Sequence, residues 1–283
     1  MTSSNTRAIQ TDLDSADDAF FETEWGAHKP KPLQWFLIGL TRRTILQRGR
    51  LRHRMTNLIT GMGRPIDVTF RDCKFRIEGR NNLIEYGILT RPTYNGQEID
   101  FLSEVVKNGG VAVDIGCNIG IYSVSLGKAA GPNGRVVGID ANQEMIRHLE
   151  YNANATGLDN VTGINMAVGG SVGRVDLNIR LDDVAIVSVI DNDDGAVQML
   201  PLLQIVQDAG LTRIDALKID IEGHEDLALV PFLQVADEDL LPKRIVIEQC
   251  GKNQDYPGCS AEFARLGYKL MGRTKINSLY QRG

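Results

Sequence analysis

Cysteine is scarce in this chain of 283 residues: Cys73, Cys117, Cys250 and Cys259 are the whole set, and no two stand in C-x-x-C spacing. That excludes a disulfide scaffold and a zinc ribbon, and makes free thiols in a reducing cytoplasm the expected state. The apolar stretch Trp35-Phe36-Leu37-Ile38-Gly39-Leu40 is far shorter than the roughly 20 residues a bilayer span needs. The first residues are polar and lack an apolar h-region, so no signal peptide is expected. Internal repeats and low-complexity tracts are also missing. Between residues 25 and 66 there is no acid at all, only Lys29, Lys31, Arg42, Arg43, Arg48, Arg50, Arg52, Arg54 and Arg64.

What is present is a globular composition, 42% hydrophobic and 24% charged, enough for one large α/β domain with appendages. The net charge of -5 hides an uneven distribution. Residues 1–24 carry Asp12, Asp14, Asp17, Asp18, Glu22 and Glu24 against Arg7 alone and read as a flexible acidic tail. A basic segment follows, then an acidic body. From about Leu33 to Met62 apolar residues recur at helical spacing, with Leu51, Met55, Leu58 and Met62 the cleanest stripe. Two readings of this basic helical segment stand side by side. It makes peripheral contact with an anionic membrane or polyanionic acceptor through residues 29–64, or it caps the body and pairs its arginines with acids there. The second is preferred, because solvated charge runs are common.

The richest segment is Val111-Ala112-Val113-Asp114-Ile115-Gly116-Cys117-Asn118-Ile119-Gly120-Ile121-Tyr122. An apolar run, an acid and two glycines lead into a helical pattern, so a strand, a tight turn and a helix N-terminus are predicted. The spacing Asp-x-Gly-x-x-x-Gly is looser than the Gly-x-Gly-x-x-Gly that brings backbone against a pyrophosphate. It suits a nucleoside ligand without phosphates, such as S-adenosylmethionine. Cys117 in this loop reads as a steric choice, since no histidine lies near it in sequence. A second strand, Arg135-Val136-Val137-Gly138-Ile139-Asp140, ends in a carboxylate placed to bond a ribose diol.

Along the chain, Ile66–Phe70 and Cys73–Ile77 predict a small hairpin, and Gln97–Val106 a helix. Strands are expected at 111–115, 135–140, 161–166, 214–220, 244–249, 267–272 and 276–281, and helices at 119–129, 142–156, 200–209, 223–234 and 259–266. That alternation implies a doubly wound, mostly parallel sheet. The last two strands are too close for a crossover and should pair antiparallel. Residues 172–198 fit neither period and are expected to form added strands or a loop near the site.

A second constellation, Leu217-Lys218-Ile219-Asp220-Ile221-Glu222-Gly223-His224-Glu225, packs acids and a histidine at the carboxyl end of a strand, where open sheets bind ligands. In a 3-2-1-4-5 sheet this strand lies beside the one bearing Asp114. Asp220 and Glu222 would face the ligand, while Glu225 and Asp226 suit a helix first turn. His224 is either a base or a surface residue. Glu248 could line the same pocket, and Lys218 serves equally as an ion partner. Asp220, Glu222 and Glu248 are also an oxygen-ligand set of the kind that binds a metal, although none is assigned.

These segments, with Asn165-Met166-Ala167-Val168-Gly169, Gly267-Tyr268 and Asn277-Ser278-Leu279-Tyr280, resemble the FkbM-type family of S-adenosylmethionine-dependent methyltransferases from roughly Thr93 to Tyr280. The most specific element is Lys-x-Asp-x-Glu-Gly at 218–223. The resemblance implies a class I methyltransferase domain over 93–283, behind a helical and hairpin extension over 25–92. It implies Asp114, Gly116, Asn118 and Gly120 around the methionine end, Asp140 on the ribose, Ala167 and Val168 beside the adenine, and Glu98 in contact with the cofactor. Relatives often end the second strand in aromatic-Glu-Pro, whereas this chain has Ile139-Asp140-Ala141; the shorter acid shifts the ribose contact. The resemblance does not reach residues 25–66.

The reaction these residues suggest is O-methylation of a hydroxyl on a carbohydrate, lipid-linked or natural-product acceptor. The candidate bases are Glu222, Asp220 and His224 in that order, Asp220 serving alternatively as a ligand of the cofactor's ammonium. The basic segment tilts the acceptor toward an anionic or membrane-associated one. Nucleic acid is not expected as acceptor, because no Asn/Asp-Pro-Pro-aromatic sequence follows the fourth strand. A nicotinamide-dependent oxidoreductase and a non-catalytic binding protein working through the basic segment are the alternatives.

Overall fold

The computed structural model describes residues 20–79, 82–180, 183–192 and 194–283. Most of the expected acidic tail lies outside these residues. Its last part is docked rather than free. Arg76, a fully buried arginine, donates to the backbone carbonyls of Phe20, Thr23 and Glu24 while pairing with Asp67 at 2.7 Å.

The chain begins with α1 (Pro32–Arg43) and α2 (Gly49–Gly61), joined through a short 3₁₀ turn at Ile45–Gln47. The hairpin of β1 (Ile66–Phe70) and β2 (Cys73–Ile77) follows, with the limits expected from its alternation. Its two-residue turn places Arg71 and Asp72 at φ 49° and 57°. Both turn residues are thus left-handed, as the twist of a tight hairpin requires. Next come α3 (Leu83–Thr90) and α4 (Gly96–Val106).

The remaining elements are β3 (Val111–Ile115), α5 (Ile121–Ala130), β4 (Arg135–Asp140), α6 (Gln143–Thr156), β5 (Val161–Asn165), β6 (Ala167–Gly169), β7 (Gly173–Arg180), β8 (Asp183–Asp191), β9 (Val197–Pro201), α7 (Leu202–Asp208), β10 (Ala216–Ile219), α8 (Glu225–Val235), β11 (Arg244–Glu248), α9 (Pro257–Arg265), β12 (Tyr268–Arg273) and β13 (Asn277–Arg282). The main sheet has the order β12-β13-β11-β10-β3-β4-β5. Strands β5, β4, β3, β10 and β11 are parallel, and β13 runs antiparallel to both neighbours. This is the doubly wound, mostly parallel sheet with an antiparallel last strand that the sequence pattern predicts. The segment 172–198 supplies strands of a second sheet, ordered β6-β9-β7-β8.

Strand alternation builds a core on each face of the main sheet. Ala112, Val136, Ala216, Val246 and Leu279 face the layer that holds α4, α5, α6 and the hairpin. Val113, Ile139, Leu217, Ile219 and Ile247 face α7, α8 and α9. The first core also takes in Ile38, Ile59, Ile66 and Phe75, so the N-terminal extension packs as part of the domain.

The apolar stripe of the extension looks outward. In α2 the buried positions are Thr56, Ile59 and Thr60, whereas Leu51 and Leu58 of the apolar stripe are exposed and Met55 and Met62 half-exposed. The apolar stripe is thus on the outer face. The body beneath α2 is satisfied by hydroxyls that bond the helix's own carbonyls, Thr56 to Arg52 and Thr60 to Thr56.

Candidate active site

The carboxyl ends of β3, β4, β10 and β11 open into a pocket with roughly 1300 Å³ of empty space, solvent at its mouth included. Its shape is set by the loop after β3. Gly116 has φ 72°, and a Cβ there would lie 1.9 Å from the backbone oxygen of Asp220. Gly120 has φ 85°, and its Cβ would strike Leu149 at 2.3 Å. Both positions need glycine, for close approach as much as for backbone freedom.

Asp114 does not reach the pocket. It is fully buried on β3, and its Oδ2 accepts the Ser123 amide at 3.0 Å and the Ser123 hydroxyl at 2.6 Å. It therefore fixes the first turn of α5, where a negative charge complements the helix end. Burial raises its pKa, which Lys218 and Ser123 counteract. Gly120 also lies outside the pocket wall. Glu98 sits behind that wall, buried in α4 and accepting from Asn277 Nδ2 at 3.3 Å.

The other cofactor candidates meet around one cavity. Gly116, Asn118, Asp140, Ala167, Val168 and Asp220 all line it. Asp140, at the tip of β4, accepts the Asn118 amide at 2.8 Å and the Asn142 amide at 2.9 Å. Burial pushes its pKa up to about 6, the two backbone amides limiting the rise. Cys117 lines the same loop, and burial, reinforced by Asp140 and Asp114, raises its thiol well above the ordinary range. It stays a thiol, in keeping with a steric role.

Parallel pairing of β10 with β11 sets Ile219 beside Ile247, so the residues that follow, Asp220 and Glu248, come together. One oxygen from each of Asp220, Glu225 and Glu248 lies within 4.8 Å of the others. Of the three acids expected to form an oxygen set, Glu222 is thus replaced by Glu225. Glu222 stands exposed at φ 54° on the pocket rim, in the loop that Glu225 braces by accepting the amides of Ile221 and Gly223. His224 lines the rim as the residue before α8. Glu248 carries a proton at neutral pH: burial, then Asp220, Glu222 and Glu225, push its pKa up to about 9.

Lys218 lies among these acids. Its Nζ donates to the Gly116 carbonyl at 2.7 Å, with Asp114 Oδ1 at 3.6 Å and Asp220 Oδ2 at 3.9 Å. Burial works against its charge, but Asp220 and Asp114 outweigh it and hold the pKa above the ordinary lysine value.

Sequence reasoning missed the far wall. Leu83 and Ile84 of α3, with Tyr94 and Asn95 ahead of α4, close the pocket opposite β4 and β10. Asn82 caps α3 through the amides of Ile84 and Glu85, and its own amide donates to Asn118 Oδ1 at 3.1 Å. The Asn-x-x-Glu spacing at 82–85 was the available signal for that helix.

The donor set fits S-adenosylmethionine. Asp140, Asp220 and Glu222 against Lys218 leave a negative pocket for a sulfonium cation. Ile139, Met145, Met166 and Val168 supply an apolar slot. The buried Tyr122 hydroxyl on the wall has no hydrogen-bond partner among the described residues.

Sheet, loop and acid-tipped strands together define a class I methyltransferase. A family profile for the methyltransferase FkbM domain matches residues 114–270, more than half of the chain, and the protein belongs to that family, whose methyl donor is S-adenosylmethionine. This assignment takes the place of the nicotinamide alternative. The chain is also similar to the demethylmenaquinone methyltransferase of Lactobacillus johnsonii, with 40% identity over 67 residues, 23% of this chain and 25% of that protein. It thus spans about a quarter of the length of that curated relative. Among solved structures it is similar to the tRNA (uracil-54, C5)-methyltransferase of Pyrococcus abyssi in complex with S-adenosyl-L-homocysteine (14% identity, TM-score 0.45, 77% of this chain and 44% of that one). A second is the S-adenosylmethionine-dependent O-methyltransferase of Thermotoga maritima (14% identity, TM-score 0.41, 66% of this chain and 64% of that one).

Proposed function

We propose that the protein methylates a hydroxyl oxygen of a carbohydrate, lipid-linked or natural-product acceptor. The observation that carries this reading is that Asp220, Glu222 and Glu248 line the same pocket as Gly116 and Asn118. When bound, S-adenosylmethionine supplies an electrophilic methyl group. Asp140 would hold the ribose, Ala167 and Val168 the adenine, and Gly116 and Asn118 the methionine end. An acceptor hydroxyl is a poor nucleophile until its proton is taken, and Glu222, then Asp220 and His224, are the proposed bases. Glu222 heads the candidates because it is exposed on the rim, where an acceptor enters. Glu248, its pKa raised by burial and by the neighbouring acids, is the weakest candidate of the three acids.

The test is calorimetric titration with S-adenosylhomocysteine, followed by turnover of an acceptor panel with labelled methyl donor. Glu222→Gln should lower turnover by about 10²–10⁴-fold and leave cofactor affinity nearly intact. A large loss of cofactor binding in that variant would refute its role as base. Tight cofactor binding without transfer to any hydroxyl would instead favour a non-catalytic role.

A further inference from the structure

The helical pair at the N-terminus is built inside out. Helices α1 and α2 lie antiparallel, tied by the Gln34 amide, which donates to the carbonyls of Ile59 and Gly63, each at 2.9 Å. Their inner faces are mostly polar: Gln34, Ile38 and Thr41 on one helix, Thr56, Ile59 and Thr60 on the other. The large apolar side chains point outward. On α1, Leu33, Phe36 and Leu40 follow each other at helical spacing along the solvent side, with Phe36 63% exposed. Ile45 in the connecting turn is 69% exposed, and Leu58 on α2 is 51% exposed. Trp35 is exposed as well. A monomer rarely leaves so much apolar surface in water without a partner for it.

Charge identifies that partner. Arg43 stands one turn beyond Leu40 on the same side of α1, and Arg54 lies between Leu51 and Leu58 along the outer side of α2. Arg43, Arg48, Arg50, Arg54 and Arg64 are exposed, and none makes an ion pair among the described residues. The preferred reading from sequence, arginines paired with acids of the body, is therefore not what the structure holds. Arg42 turns inward, donating to the carbonyls of Ile88 and Leu89, and Arg52 is half-buried, its Nε sealed from solvent. An apolar, aromatic face set among unpaired bases matches an anionic lipid surface, where the rings and aliphatic chains enter the headgroup boundary and the guanidinium groups meet phosphates. A second copy of the chain would bring like charge against like. A nucleic acid would leave Leu33, Ile45 and Leu58 in water. No helix among the described residues is long and apolar enough to cross a bilayer, so the contact lies along the surface.

We infer that α1, the Ile45–Gln47 turn and α2 form a docking face for an anionic membrane surface. The face is one helix away from the pocket: it packs on α3, through Arg42 and through His53 set edge-on to Tyr86 with ring centroids 5.7 Å apart, and the first turn of α3 lines the cavity. The docking inference concerns this surface alone and holds whether or not the pocket transfers methyl groups.

The test is co-sedimentation of the full chain with vesicles of mixed phosphatidylglycerol and phosphatidylcholine, and with phosphatidylcholine alone, across a salt series. The expected result is binding to the anionic vesicles at least about tenfold tighter than to the neutral ones, weakening as salt rises. The double variants Leu33→Ser with Phe36→Ser, and Arg50→Glu with Arg54→Glu, should each lower that binding by on the order of tenfold or more. Both should keep the wild-type melting temperature and S-adenosylhomocysteine affinity, which separates loss of docking from loss of fold or pocket. Equal binding to neutral and anionic vesicles, or none to either, overturns the inference. So does self-association in light scattering that Phe36→Ser abolishes, or binding to polyuridylate as tight as to vesicles and indifferent to the Leu33 and Phe36 changes.

Discussion

Asn82 and Asn118 join the N-terminal extension to the ligand loop: the amide of one donates to the side-chain oxygen of the other at 3.1 Å, and both are buried. The same Asn118 oxygen accepts the Ile119 amide, and the Asn118 amide bonds Asp140. One residue of the extension thus helps hold the loop and, through it, the acid at the tip of β4.

Asn82→Ala should therefore act twice. Loss of the α3 cap and of a buried hydrogen bond should cost on the order of 1–3 kcal/mol of stability, read by denaturant unfolding. S-adenosylhomocysteine affinity should fall about tenfold, the scale of one positioning contact. Unchanged affinity in a destabilised variant would confine Asn82 to a capping role.

Gly116→Ala should be far more damaging than an exposed substitution. The new methyl would meet the Asp220 carbonyl at 1.9 Å on a backbone already at φ 72°. A stability loss of roughly 2–4 kcal/mol is expected, together with loss of ligand binding. Near-native melting with full affinity would show that the loop relaxes, against the close packing described above.

Ligand binding should depend on the charge of Asp140. With its pKa pushed up by burial to about 6, this acid protonates in the folded protein at a pH where an ordinary aspartate is still charged. S-adenosylhomocysteine affinity should decline as pH falls through about 6, with the slope of one proton. Asp140→Ala should bind weakly and lose that inflection. A wild-type affinity flat across that range would separate Asp140 from the ligand.

His148 gives stability the opposite kind of handle. It is buried in α6 against the rings of Phe20 and Phe21, with Nδ1 unpartnered among the described residues. Burial, then Arg147, lowers its pKa to about 3, while Glu144 stands 3.8 Å away on the outer side. The unfolded chain takes up this proton near pH 6.5 and the folded one only near 3. Stability is therefore full above the unfolded pKa and declines between about 6.5 and 3, by several kcal/mol in all. His148→Leu should flatten that decline in urea unfolding measured across pH. An unchanged slope would assign the acid loss to other groups.

Local pattern carried much of this protein. The strand, turn and helix at 111–130 follow from an apolar run broken by glycines, and the hairpin at 66–77 from strict alternation, because both signals act within one element. Antiparallel pairing of β12 with β13 followed from chain length alone, since so short a connection cannot cross over. The acids at 220–226 were legible as a constellation, Glu225 and Asp226 as first-turn residues included, but the approach of Glu225 to Asp220 and Glu248 was not. Glu225 turns in to brace the loop while Glu222 stays on the rim, a choice made by the left-handed backbone at Glu222.

Helix α3 escaped notice because Glu85, Tyr86, Gly87, Ile88, Leu89 and Thr90 are all buried, and a helix covered on every side has no amphipathic period to read. The stripe on α2 was legible, but hydropathy says that a face is apolar, not which neighbour it meets. The order of strands and helices, and the residue types gathered at the sheet's carboxyl end, follow from local pattern. Long-range packing sets the rest: Asp114 turns inward to a helix end, Asp220 meets Glu248, and an apolar helical face looks out to solvent. Each of those depends on strand register or helix packing, which residues distant in the chain set together.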